Sequence, residues 1–453
     1  MALKEETLGS AHPRTAQDIK ARVLAEIDRQ AERIVAISRE IQLHPETGFR
    51  EFGTARRIAA QFEDMGIDYR SGLARTGVKA RMTGRSDRHT VALLGEMDSV
   101  ITPDHPLANQ HTGAAHACGH HIEIGAMIGA ALGLQGVMDQ LDGDVVLFAL
   151  PAEELIEVDW RLSLREAGDI EFVCGKPELI RLGEFDDIDL GLITHPSTDS
   201  TAPLFTMGHS FTGSILKKVT FTGKTGHAGE NPHESINALK ALTLALTALE
   251  SQRETFRDED SVRISQLITN SGEMVSTIPG LTELEVMIRG RSIEALEDAS
   301  NKVDRSMQAG AVAVGAEVEI TTVVGCFPFK QDQPLVELVD SNGRQLFGDN
   351  AIEGHGRPIG ASTDSGDLQL LLPLVLPLVN SGCDGLIHSR DFTIADHVLT
   401  AVNNAKLLAV SVVDLLCDGA TKASQVIEES GPKLDREAFL KLRRRMENTK
   451  KFL

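Results

Sequence analysis

Apolar residues recur at helical spacing over residues 15–43, as Ile34, Ile37 and Ile41, and again over 51–65, as Ala55, Ile58 and Phe62. Between them, His44-Pro45-Glu46-Thr47-Gly48 reads as a turn, because Pro and Gly stop the first helix. An apolar run of strand length at 90–95 ends at Glu96-Met97-Asp98. Residues 119–134 return to a helical period, rich in Ala, Gly and Leu, and 144–150 and 190–194 are further strand-like runs. Strands that alternate with helices predict an α/β fold, a mostly parallel sheet with helices on both faces.

Residues 212–323 change rhythm. Strand-like runs at 215–222, 262–269, 281–289 and 318–323 are separated by helical patterns at 235–249 and 292–309. That order, βαββαβ, is the pattern of a ferredoxin-like α+β sandwich, and its self-contained character predicts an inserted domain. The α/β pattern then resumes, with helices at 334–347 and 395–416. The apolar stretch 368–379 is broken by Pro373 and Pro377. It is too short for a bilayer, which takes ~20 apolar residues, and reads as a buried strand pair. The larger domain is thus assigned residues 1–208 and 325–430, the insert 209–324, and a basic terminal helix 431–453.

Charge changes this picture mainly by exclusion. Lys plus Arg number 45 against 66 Asp plus Glu, a formal charge of −21. Nucleic acid and anionic membrane surfaces both need clustered Lys and Arg, so neither is an expected partner. Five Cys, none at Cys-x-x-Cys spacing, make no disulfide framework. The N-terminal Met-Ala-Leu-Lys-Glu-Glu-Thr lacks the features of a signal peptide, and the expected compartment is the cytoplasm. Residues 433–453 run against the trend, with eight Lys/Arg and three Asp/Glu. They read as a solvated helix, with an anionic partner or subunit contact as the alternative.

The sharpest chemical cluster is His116-Ala117-Cys118-Gly119-His120-His121, just before a helical pattern. Thiolate and imidazole suit a borderline-soft divalent ion. Cys118 and His120 are two apart, so in extended backbone both side chains reach one side. Glu153 and Glu154 follow a predicted buried strand, and His195 ends another; α/β sheets place their sites at such strand ends. One glutamate could bind metal while its neighbour moves protons. Asp98 reads equally as an orienting carboxylate or a turn residue, whereas His227 and His388 read as loop histidines. Gly223-Lys224-Thr225 invites a P-loop reading that fails, because Lys218 stands where the first Gly is needed.

Taken in order, His44-Pro45-Glu46, the His116–His120 motif, Glu153-Glu154, Gly226-His227-Ala228 and His388 resemble the aminoacylase and carboxypeptidase-G superfamily of metal-dependent amidohydrolases. The nearest branch is that of hippurate and auxin-conjugate hydrolases, and the resemblance spans about residues 20 to 420. It implies a zinc-peptidase-like mixed sheet with an inserted ferredoxin-like dimerisation domain. It further implies that Cys118 bridges a two-metal site with His120, Glu154, His195 and His388 as terminal ligands. Glu153 would be the general base, Asp98 an orienting carboxylate, and His227 a residue reaching a neighbouring subunit's site. The expected cofactor is manganese or zinc, or else cobalt or nickel, at one or two ions per subunit. A small-molecule substrate and a homo-oligomer built from dimers are implied with it.

Three positions depart from the family pattern: His121 replaces Asp, Ser276 stands where Asn precedes Ile-Pro, and Thr363-Asp364 replaces Glu-Asp. The altered pattern, with segment 158–185 and its Arg161, Arg165 and Lys176, resembles a branch that removes the aromatic amine of 5-nitroanthranilate as ammonia. On that reading Arg289, His209 or His227 would hold a substrate carboxylate, with His121 and Ser276 nearby. The alternatives are an N-acyl-amino-acid hydrolase of hippurate or aminobenzoyl-glutamate type, a metal-containing binding protein without turnover, and a thiol hydrolase built on Cys118.

Overall fold

The computed structural model describes residues 15–431 and 433–452; the N-terminal heptapeptide weighed above lies outside the described residues. A six-stranded sheet runs in the order Tyr69–Leu73, Gly77–Met82, Asp144–Leu150, Thr90–Glu96, Leu190–Leu192, Leu374–Val375. The last four are mutually parallel, while Gly77–Met82 is antiparallel to both neighbours, so the sheet is mixed. Every residue of Asp144–Leu150 is buried. Val145, Leu147 and Ala149 face a core shared with the helices Ala16–Arg29, Ala31–Gln42, His121–Gln135 and Asn403–Leu416. Val146, Phe148 and Leu150 face a second core containing Leu164, Leu179 and Phe185. Burial on both faces explains the unbroken apolar run.

The predicted 15–43 helix is two helices, divided at Gln30. The 368–379 stretch is not a simple strand pair. Leu368 ends up in the helix Ser365–Gln369, and Leu374–Val375 and Leu378–Asn380 join two different sheets. Pro373 and Pro377 cannot donate to a ladder, which limits each strand to two or three residues. One apolar helical segment, Val398–Leu416, is long enough to cross a membrane, but 72% of its most apolar window is buried inside the fold, where it packs as a core helix.

The insert is a sheet of Arg263–Asn270, Leu281–Gly290, Gly213–Thr222 and Glu317–Cys326, in that order and all antiparallel. Leu284, Val286 and Ile288 alternate inward against the helices Ala238–Glu250 and Ile293–Val314. A fifth strand comes from elsewhere. After the helix Arg436–Met446, residues Asn448–Phe452 pair antiparallel with Glu317–Cys326. The terminal segment is therefore more than the expected solvated helix, because Phe439, Arg443 and Met446 are buried. The Arg443 guanidinium pairs with Asp367 and donates to the carbonyls of Val324 (2.6 Å) and Gly325 (3.2 Å), tying insert to larger domain.

Candidate metal centre

Parallel register sets Glu96 beside Leu150 and Leu93 beside Leu192. The chain segments that leave these strands, carrying Asp98, Glu153-Glu154 and His195, therefore emerge at one edge of the sheet. The Cys118–His120 segment crosses the same edge before the helix His121–Gln135 begins. Gly119 has φ 91°, and a Cβ there would lie 2.6 Å from Pro196 Cγ, so no side chain fits at this crossing. The loop of His388, itself at φ 65°, is fastened by its N–H to the Ala117 carbonyl at 2.8 Å.

The donor atoms converge on Cys118. Its Sγ lies 3.3 Å from His195 Nε2, and the ligand atoms of Cys118, His120 and His195 all fall within 4.8 Å of one another. The ligand atoms of Cys118, Glu154 and His388 form a second group under the same limit. His388 Nε2 is 2.8 Å from Glu154 Oε1. Asp98, wholly buried, holds both halves: its Oδ1 is 3.2 Å from His120 Nδ1, and its Oδ2 accepts from the Glu154 N–H at 2.9 Å. His195 Nδ1 is likewise held by the Pro196 carbonyl at 2.8 Å. Fixing Nδ1 in each ring leaves Nε2 as the free donor.

These residues fit a divalent ion. Among the described residues, His120 Nε2 is buried with no well-aligned hydrogen bond, only the Glu96 carboxylate 3.3 Å away, a position that suits a bound cation. Burial holds His195 down to about 4, assisted by the nearby His120, so its imidazole is neutral and able to ligate. Burial opposes ionisation of Glu154, but the hydrogen bond and charge of His388 outweigh it and hold the carboxyl at about 2. Burial, together with Glu96, Glu154 and Asp364, pushes half-buried Glu153 well above the usual carboxyl range. Adjacent carboxylates thus differ in character: the ligand-like one is ionised, and the other binds a proton far more readily.

The expected substrate-side residues scatter. His121 is wholly buried, its ring 5.2 Å from His116 and 5.5 Å from His397, with both nitrogens unpartnered among the described residues. His209 has both nitrogens engaged, with Thr206 Oγ1 and with the Arg357 backbone. Arg289 donates to Ser362 Oγ at 2.5 Å, two residues before Asp364, and makes no ion pair among the described residues. His227 and Ser276 adjoin in the insert, where strands Gly226–His227 and Thr277–Ile278 pair. Among the described residues, no hydrogen bond or ion pair joins them to the Cys118 cluster.

Four residues that sequence reasoning passed over as site residues lie at the centre: Glu96, Glu123, Lys176 and Asp364. Glu96 Oε2 is 3.3 Å from His120 Nε2, and oxygens of Glu96, Glu153 and Asp364 fall within 4.8 Å of one another. Glu123 was detectable as the one acidic residue in a mostly apolar helix, and Lys176 as a cation just after Val173 and Cys174.

A model of peptidase family M20/M25/M40 matches residues 92–404. Xaa-Arg dipeptidase of Mus musculus is 27% identical over 424 residues, which cover 88% of this chain and 89% of that protein. The YXEP protein of Bacillus subtilis, a dinuclear metal binding peptidase, superposes with TM-score 0.65 at 19% identity, covering 86% of this chain and 99% of its own. An aminobenzoyl-glutamate utilization protein from Klebsiella pneumoniae gives 0.63 at 18%, covering 86% and 97%. At these identities the two solved structures establish the likeness of fold.

Proposed function

Because the chain belongs to peptidase family M20/M25/M40 and is a metal-dependent hydrolase of C–N bonds, we propose that Cys118, His120, Glu154, His195 and His388 hold a pair of divalent transition ions, manganese or zinc foremost. The observation that carries this is one sulfur shared by two donor groups, Cys118 with His120 and His195, and Cys118 with Glu154 and His388. When bound, the ions supply acidified water and neutralise negative charge that develops on the substrate. Glu153 takes the proton and passes it to the departing nitrogen. Asp98 keeps His120 and the Glu154 backbone aligned. Arg289, with guanidinium donors left over beyond Ser362, orients a substrate carboxylate.

For the substrate, our reading is an aromatic amino acid of the 5-nitroanthranilate kind, deaminated hydrolytically to release ammonia. It is supported by segment 158–185, which buries Arg161 and Lys176, and by the altered positions His121, Ser276 and Thr363. An N-acyl-amino-acid or dipeptide amide is the second reading, favoured by the similarity to a dipeptidase along 88% of the chain. The test offers 5-nitroanthranilate, a hippurate-type amide and an Xaa-Arg dipeptide to one preparation. Ammonia from the aromatic amine is the expected result. Amide cleavage without it overturns the aromatic reading and leaves the parent class. The five cysteines, all free and buried, support a reducing compartment such as the cytoplasm.

A further inference from the structure

Lys176 is the second residue of a short helix, Gly175–Arg181, and its side chain is fully buried. An ammonium in that position persists only if anions surround it. Its Nζ donates to Glu96 Oε1 at 2.5 Å and to Asp364 Oδ1, and its backbone N–H donates to Asp364 Oδ2 at 3.0 Å. One residue therefore grips Asp364 by both main chain and side chain. Burial opposes the charge, yet Asp364, Glu96 and Glu153 together keep the ammonium charged well above the usual lysine range.

The partners of this lysine distinguish it from an ordinary buried ion pair. Glu96 turns its other oxygen toward His120 Nε2, and Glu96, Glu153 and Asp364 offer oxygens within 4.8 Å of one another. Three carboxylates at that spacing form a hard, oxygen-rich site that attracts a dication. An ion bound there would take Glu153 as a ligand and leave it unable to accept a proton. The geometry points to Lys176 as a built-in cation: a positioning residue whose tethered ammonium fills the Glu96–Glu153–Asp364 cluster, keeps a further metal ion out and leaves Glu153 free. This rests on the reading of Glu153 as the general base.

The test uses the full-length protein and the side-chain-sized substitution Lys176→Met. At matched free manganese or zinc, equilibrium dialysis should find one more ion per subunit than in wild type, with turnover at least 30-fold lower and KM changed little. In Lys176→Ala, propylamine should expel the extra ion and restore part of the turnover, whereas propanol of the same size should not. Turnover within threefold of wild type overturns the proposal. So does lost turnover with an unchanged metal count and no preference for amine over alcohol, which marks Lys176 as structural. Should the single variants not fold, Glu96→Gln/Lys176→Met/Asp364→Asn removes all three charges together. It should bind the wild-type number of ions; an extra ion there also overturns the proposal. Glu153→Gln alone tests the base assignment, and the metal count of Lys176→Met does not depend on that outcome.

Discussion

The surroundings of each ring, rather than its place in the motif, separate the histidines at the metal centre from those in the core. His120 and His195 have Nδ1 fastened and turn Nε2 toward Glu96 and Cys118, while His121 packs between His116 and His397 in the interior. Burial holds His116 down to about 3 and His397 to about 4, and it pushes His121 well below the usual range. Below the ordinary imidazole value the unfolded chain binds protons that the native chain refuses. Stability is therefore full above about pH 6.5 and falls as pH drops toward 4. Each such histidine contributes a slope of about 1.4 kcal/mol per pH unit. Urea unfolding of metal-free His121→Phe across that window should show the slope reduced by about that amount; an unchanged slope contradicts the assignment. The residues alone marked the 116–121 cluster as unusual but could not divide it, because the division depends on which way the first helical turn faces; only the family resemblance set Cys118 and His120 apart from His121.

At the scale of elements, periodicity recovered most helices and strands, including both halves of the ferredoxin-like repeat. It missed what depends on long-range pairing. The strand Asn448–Phe452 is polar and basic and carries no strand signal of its own; only the free edge of Glu317–Cys326 gives it a place. Arg443 shows why the segment matters. It and Asp367 are both fully buried. Arg443→Met leaves a carboxylate without its counter-charge, a loss of about 3–5 kcal/mol. Arg443→Met/Asp367→Asn should recover more than half of that in denaturant unfolding, since a buried pair replaced on both sides is often nearly neutral. Additive losses would mean that the two residues do not act as a pair.

For the whole molecule, the terminal strand covers one edge of the insert's sheet and leaves Arg263–Asn270 as the other. That edge and the loop after it expose Leu267, Ile268, Met274 and Val275. An unpaired apolar edge is an association surface, and we take a second copy of this chain as its partner. His227 and Ser276 lie in the same insert, without bonds to the Cys118 cluster among the described residues. This arrangement supports His227 serving the neighbouring subunit, a role the sequence suggested only through family resemblance. Mixing inactive His227→Ala and Glu153→Ala subunits should then restore about a quarter of wild-type turnover, because half of randomly formed dimers are mixed and each has one intact site. No recovery in verified mixed dimers would place His227 in its own subunit's site or outside catalysis.

The claim on which the rest depends is that Cys118 and its neighbours hold the ions while Glu153 moves the proton. The direct measurement is metal per subunit alongside turnover, for chelated and re-metallated wild type, Glu153→Ala and Glu154→Ala. Chelated wild type should be inactive and should recover as it takes up two ions. Glu154→Ala should fail to retain the full complement. Glu153→Ala should load like wild type yet turn over ~10²–10⁴ times more slowly. Full turnover in metal-free protein, or wild-type turnover in Glu153→Ala, would contradict the account.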